Sequence, residues 1–116
     1  MCRECAPIFK SNNCVAIHLE DITAAESFYT NVMKFRLLTK SEEHLEYETG
    51  HFLLYVNRDL NTQPPIPSFT VKDIGAARRF LLENGCVILR EDEKSLYFRD
   101  PFGITYDVVE ANKKRI

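Results

Sequence analysis

Three histidines and four cysteines carry most of the reactive chemistry in this chain of 116 residues. Cys2-x-x-Cys5 has the spacing of half a zinc knuckle or of a redox pair. No second Cys/His pair follows at finger spacing, so Cys2 and Cys5 read as two solvent-side thiols on a loose terminus. Cys14 and Cys86 are also expected to be thiols in a reducing compartment. His18 stands in "CVAIHLE", residues 14–20, where Val15, Ile17 and Leu19 alternate as on a strand. It shares the strand face of Cys14 and Ala16 and is a candidate general base near neutral pH. The plainer role is a histidine that hydrogen-bonds a neighbour or a ligand. His44 and His51 fall in turn-like stretches and are expected in solvent.

Composition narrows the partners. The chain is 45% hydrophobic and 28% charged, with a formal charge of -2, so nothing electrostatic points to nucleic acid or an anionic membrane. No apolar run approaches the roughly 20 residues of a membrane span, and "MCRECAPIFKSNN" lacks the pattern of a secretory signal. A cytoplasmic protein is expected. "LREDEKS", residues 89–95, reads as a solvated hairpin, and Lys113-Lys114-Arg115 as a frayed basic end.

The elements that must hold these groups are written twice. "DITAAESF" at 21–28 and "DIGAARRF" at 73–80 share Asp-Ile-x-Ala-Ala-x-x-Phe. Asp21 and Asp73 suit helix N-caps. Ala25, Phe28, Tyr29 and Val32 fall on one helical face, as do Ala77, Phe80 and Leu81. Gly85 in "Glu-Asn-Gly" reads as the stop of the second helix. Strand-like stretches flank each helix: "CVAIHLE" and "IPSFTVK" before, "FRLLTK", "HLEYET", "HFLLYVN" and "CVILRE", "SLYFRD", "ITYDVVE" after. The expected fold is α+β, a single domain of two βαβββ modules at about 13–57 and 66–111. Residues 58–65, with Pro64-Pro65, form the linker. Laying "GHFLLYV" from Gly50 on "GITYDVV" from Gly103 makes Leu54 the equivalent of Asp107.

The duplicated unit, the D-I-x-A-A-x-x-F helix and "FRDPFGITYDVVE" resemble the vicinal oxygen chelate superfamily, the group of glyoxalases, bleomycin-resistance proteins and extradiol dioxygenases. Asp100-Pro101-x-Gly103-x-x-x-Asp107 is the most specific piece. The resemblance implies an eight-stranded cup, with function inside it. Metal-dependent members hold a divalent ion on a first-strand His, a fifth-strand His or Glu and an eighth-strand Glu, for Lewis-acid or oxygen chemistry. Here those positions read Cys14, Ile66 and Asp107, with Leu54 as the fourth-strand counterpart. One thiol and one carboxylate do not make a three-ligand catalytic site, so no metal or other cofactor is expected.

Strand parity supplies the rest of the expected lining. Ser68, Thr70 and Lys72 share the face of Ile66, Thr105 and Val109 that of Asp107, and Phe52, Leu54 and Val56 lie together on the fourth strand. Phe52 and Leu54 could equally fill a second core, whereas Thr70, Asp107 and His18 are harder to bury without partners. Arg99 could meet an acidic ligand group or a surface carboxylate. The leading reading is a metal-independent small-molecule binding protein of the bleomycin-resistance type, sequestering a compound such as an antibiotic, with His18, Phe52, Leu54, Ser68, Thr70, Arg99, Thr105 and Asp107 as ligand-binding residues. The alternative is a metal-dependent lyase, isomerase or thiol transferase with one divalent metal on Cys14, His18 and Asp107. A third is a regulatory dimer whose cup is filled by its own side chains. The resemblance implies a homodimer.

Overall fold

The computed structural model describes residues 6–111, so Cys2, Cys5 and the basic stretch at 113–115 lie outside the described residues. The order is β1 (Lys10–Leu19), α1 (Ile22–Ser27), a π-helical turn (Phe28–Val32), β2 (Arg36–Lys40), β3 (His44–Glu48) and β4 (Leu53–Arg58). Then follow β5 (Gln63–Val71), α2 (Ile74–Glu83), β6 (Val87–Glu91), β7 (Ser95–Arg99) and β8 (Thr105–Glu110). The fold is α+β, with βαβββ written twice. Two expected boundaries move. β1 begins at Lys10, ahead of residue 13, and Pro64-Pro65 open β5 instead of ending a linker. Proline tolerates that place because the first residues of a strand can forgo an N–H donor and accept its fixed φ.

The chain divides into two compact units, Asn13–Ile66 and Pro67 onward together with the chain up to Asn12. They hold the first and second βαβββ copies. In the first, the strand order is β2-β3-β4-β1, with β1 parallel to β4 and the other pairs antiparallel. Ile22 and Ala25 of α1 pack with Leu45, Tyr47, Leu54 and Val56, bordered by Ile17 and Leu19. In the second, the order is β5-β8-β7-β6, with β5 parallel to β8. Ala77 and Leu81 of α2 pack with Val71, Leu96, Phe98 and Val108. Alternation sends every second strand residue to the helix and leaves the next on the opposite face.

Both helices start as the sequence predicts. Asp21 Oδ1 accepts from the Ala24 N–H at 2.9 Å and Asp73 Oδ1 from that of Ala76 at 3.1 Å. They stop differently. After α1 the chain widens into the π-helical turn, where the Met33 N–H donates to the Phe28 carbonyl five residues back. Phe28 and Val32 at the two ends of the turn are exposed although Ala25 is buried, against the expected apolar face. Phe80 is also exposed, against the expected apolar face of α2.

The turn also shifts the repeat. Ile22 and Ile74 are 52 positions apart, Arg36 and Val87 are 51, and Leu53 and Thr105 are 52 again. The longer turn after β7, closed by an Asp100 N–H to Ile104 carbonyl bond, restores the spacing. The fourth-strand equivalent of Asp107 is therefore Tyr55, not Leu54, because Gly50 and Gly103 occupy different places in turns of unequal length. Among the described residues no helix is long and apolar enough to cross a membrane.

Candidate functional site

The polar chemistry of the second copy gathers on the sheet face away from α2. Val71, Leu96, Phe98 and Val108 point to the helix, so Ser68, Thr70, Tyr97 and Asp107 occupy the other side. The register sets Asp107 beside Ser68 on one hand and beside Tyr97 on the other. Ser68, only 6% exposed, donates its hydroxyl proton to Asp107 Oδ2 at 2.9 Å. The Asn12 amide donates to Ser68 Oγ at 2.9 Å and to Thr70 Oγ1 at 3.1 Å. A hydroxyl has one proton, so the amide on its oxygen commits that proton to the carboxylate.

Asp107 is thus partly desolvated, with one hydrogen bond to offset the loss of water. Burial pushes its carboxyl up to about 6, against the lowering effect of the Ser68 hydroxyl, and the charge of Asp92 adds a further rise. Such a group is ionised at neutral pH but close to titrating, a property that clusters at functional sites. Asp107 opens onto a cleft of about 660 Å³ formed with the 92–95 turn, Tyr97 and Val109. The Arg90 guanidinium lies 5.9 Å from the centre of the Tyr97 ring, a cation–π contact.

The structure brings together Ser68, Thr70 and Asp107 of the expected lining and adds Asn12 and Tyr97. Tyr97 is legible in "SLYFR", since Ser95, Tyr97 and Arg99 alternate with buried Leu96 and Phe98. Asn12 carried no signal, because the polar "KSNN" does not read as a strand. Leu54 is a correction: it is packed into the α1 core with Val56, because the one-residue offset puts both on the helix side. Phe52 lies in the turn before β4, where its carbonyl accepts from the Thr49 hydroxyl at 2.7 Å. Arg99 and Thr105 pair across β7 and β8 at the far end of the strands from the cleft.

The first copy has a different set on the corresponding face. His18, 4% exposed, is in register with Asn57, and Ala16 with Tyr55. Burial, then Cys14 and Glu46, pushes the Tyr55 phenol up. His44 is half-buried in β3, not solvated in a turn as expected. Its Nδ1 lies 2.8 Å from Asn57 Oδ1 and its ring 5.5 Å from that of Tyr55. His51 is exposed in its turn, as expected. The first copy also has a larger cleft, about 1130 Å³, between α1 and the β2–β3 turn. Among the described residues both cations lining it are paired, Lys40 with Glu26 at 3.1 Å and Arg58 with Glu43 at 3.8 Å, and Asp21 is the helix cap. We read it as a solvated groove.

A divalent metal needs three or more protein donors in a catalytic site of this kind. Among the described residues no three His, Cys, Asp or Glu side chains are grouped so as to hold one. The donor chemistry of the described residues does not fit the metal that the resemblance would bring.

No family model matches the chain, and no curated protein matches it by sequence. Among solved structures, a variant of homoprotocatechuate 2,3-dioxygenase from Brevibacterium fuscum superposes with a TM-score of 0.71 at 17% identity. The match covers 93% of this chain and 34% of the dioxygenase. An extradiol ring-cleaving dioxygenase from the same organism gives 0.71 at 16% identity over the same shares, 93% and 34%. A hypothetical protein from Bacillus halodurans gives 0.68 at 13% identity, covering 96% of this chain and 99% of that one. The chain therefore spans about a third of the length of the dioxygenases and nearly all of the Bacillus protein. At these identities the likeness is one of fold, and the chain has the fold of the vicinal oxygen chelate superfamily, the group that includes the extradiol dioxygenases.

Proposed function

We propose that the chain is a small-molecule binding module that works without a metal, retaining a compound as the bleomycin-resistance branch does. One observation carries this reading: a half-buried carboxylate, oriented by a buried hydroxyl and an amide, stands at the wall of an open cleft. Burying a carboxylate with one hydrogen bond is unfavourable, and groups perturbed in this way cluster at functional sites. Ring cleavage of the dioxygenase kind is not part of the proposal, because the chain matches only a third of those enzymes and groups no three metal donors among its described residues. The homodimer implied by the resemblance belongs to the proposal and is checked by sedimentation.

An enzymatic reading draws on the same carboxyl, since a group titrating at about 6 suits proton transfer near neutral pH. Metal content and thermal melting of untagged protein separate the two. The binding reading expects an unchanged melting temperature with chelator and with added Ni²⁺, Zn²⁺, Mn²⁺ or Fe²⁺. About one metal per chain with a melting rise of several degrees contradicts it and restores the metal-dependent lyase, isomerase or transferase.

A further inference from the structure

The atoms around Asp107 restrict what the cleft can accept. Oδ2 is occupied by the Ser68 hydroxyl, and that hydroxyl cannot turn to serve a ligand while Asn12 donates to its oxygen. Among the described residues Oδ1 accepts no hydrogen bond. Asp107 therefore offers the cleft an acceptor. Beside it stand the phenol ring of Tyr97 and the aliphatic side chain of Val109, surfaces suited to a flat or apolar body.

We infer that the cleft takes a small organic cation, an ammonium group on an aromatic or aliphatic arm, with the ammonium seated on Asp107 and the arm along Tyr97 and Val109. This rests on the proposed binding function and specifies its ligand class. A neutral donor can make the same hydrogen bond, but a charged one adds an ion pair to a carboxylate that is short of solvation. An anion meets Asp107 with Asp92 and Glu93 on the adjoining turn, where among the described residues Lys94 is the one cation lining the cleft. The Tyr97 ring already carries Arg90, which shows that the strand surface tolerates a cation beside it.

The test uses three probes with one carbon skeleton, benzylamine, benzyl alcohol and benzoate, titrated into the isotope-labelled full chain and followed by amide shifts. The amine is expected to move Ser68, Tyr97, Asp107 and Val109 with an affinity about tenfold above that of the alcohol, the effect of one charge-assisted hydrogen bond. The preference should vanish in Asp107→Asn. It should also fade in the unaltered protein as pH falls through about 6, because the protonated carboxyl no longer pairs with the ammonium. The facing groups Asp92, Glu93, Lys94 and Arg90 keep their charge in the Asn variant, so a preference that survives there belongs to them and overturns the assignment. Equal or tighter binding of alcohol or benzoate at these residues overturns the cation inference and leaves the binding function standing. Absence of shifts at the cleft with all three probes overturns both.

Discussion

The two βαβββ copies are alike where they face their helices and unlike where they do not. Leu45 and Leu96 are equivalent and fully buried, as are Val56 and Val108. Tyr47 differs from its equivalent Phe98 only by a hydroxyl, which lies 2.8 Å from Thr30 Oγ1 in the π-helical turn. On the other face Ala16, His18 and Tyr55 stand where the second copy has Ser68, Thr70 and Asp107. The helix-side core needs volume and apolarity, so substitution there is costly. The opposite face carries no such demand within its own copy, and it is there that the chemistry has diverged.

Core truncation should show the likeness most strongly. Leu45→Ala and Leu96→Ala are each expected to cost about 2–5 kcal/mol in urea unfolding, and markedly unequal losses would break the equivalence. Asp107→Asn sharpens the difference. The folded carboxyl titrates at about 6, above its ordinary 3.8, so the folded state binds the proton more tightly than the unfolded chain. Stability then falls as pH rises from about 4 to about 6, and the ionised group is a net burden above that. The variant should lose this slope and be more stable at pH 7 by on the order of 1–3 kcal/mol; equal stability profiles for the two proteins would refute the burial argument.

The caps should again behave alike. Asp21→Ala and Asp73→Ala are each expected to lower stability by about 1 kcal/mol, despite the shorter first helix. The smallest contrast lies at the helix exits. Lys34 and Gly85 are equivalent, and both have left-handed backbones, with φ of 63° and 88°. Only glycine adopts that region without a Cβ penalty. Lys34→Gly should raise the melting temperature, corresponding to a gain of a few tenths to about 1 kcal/mol, and Gly85→Ala should lower it.

Much of this was readable in advance. The repeated Asp-Ile-x-Ala-Ala pattern predicts both helices and both caps, and alternation in "CVAIHL" and "TYDVVE" separates the helix face from the face that holds Asp107. The π-helical turn was not readable, because an extra residue at a helix end leaves no mark in composition or periodicity. Matching Gly50 to Gly103 across turns of unequal length is what moved the equivalent of Asp107 from Tyr55 to Leu54 and sent a core leucine to the expected lining. Asn12 escaped for another reason: its role depends on pairing 56 residues away with Ser68, which local pattern does not encode. His18 lies buried in β1 of the first copy, in register with Asn57.

The central claim is that the second copy holds a ligand site and needs no metal for it. A fragment screen on labelled protein in the presence of chelator, read by amide shifts, tests it most directly. The account predicts hits whose shifts centre on Ser68, Thr70, Tyr97 and Asp107 and that persist in chelator. Shifts centred on Ala16, His18 and Tyr55, or binding that appears only after a divalent metal is restored, would contradict it.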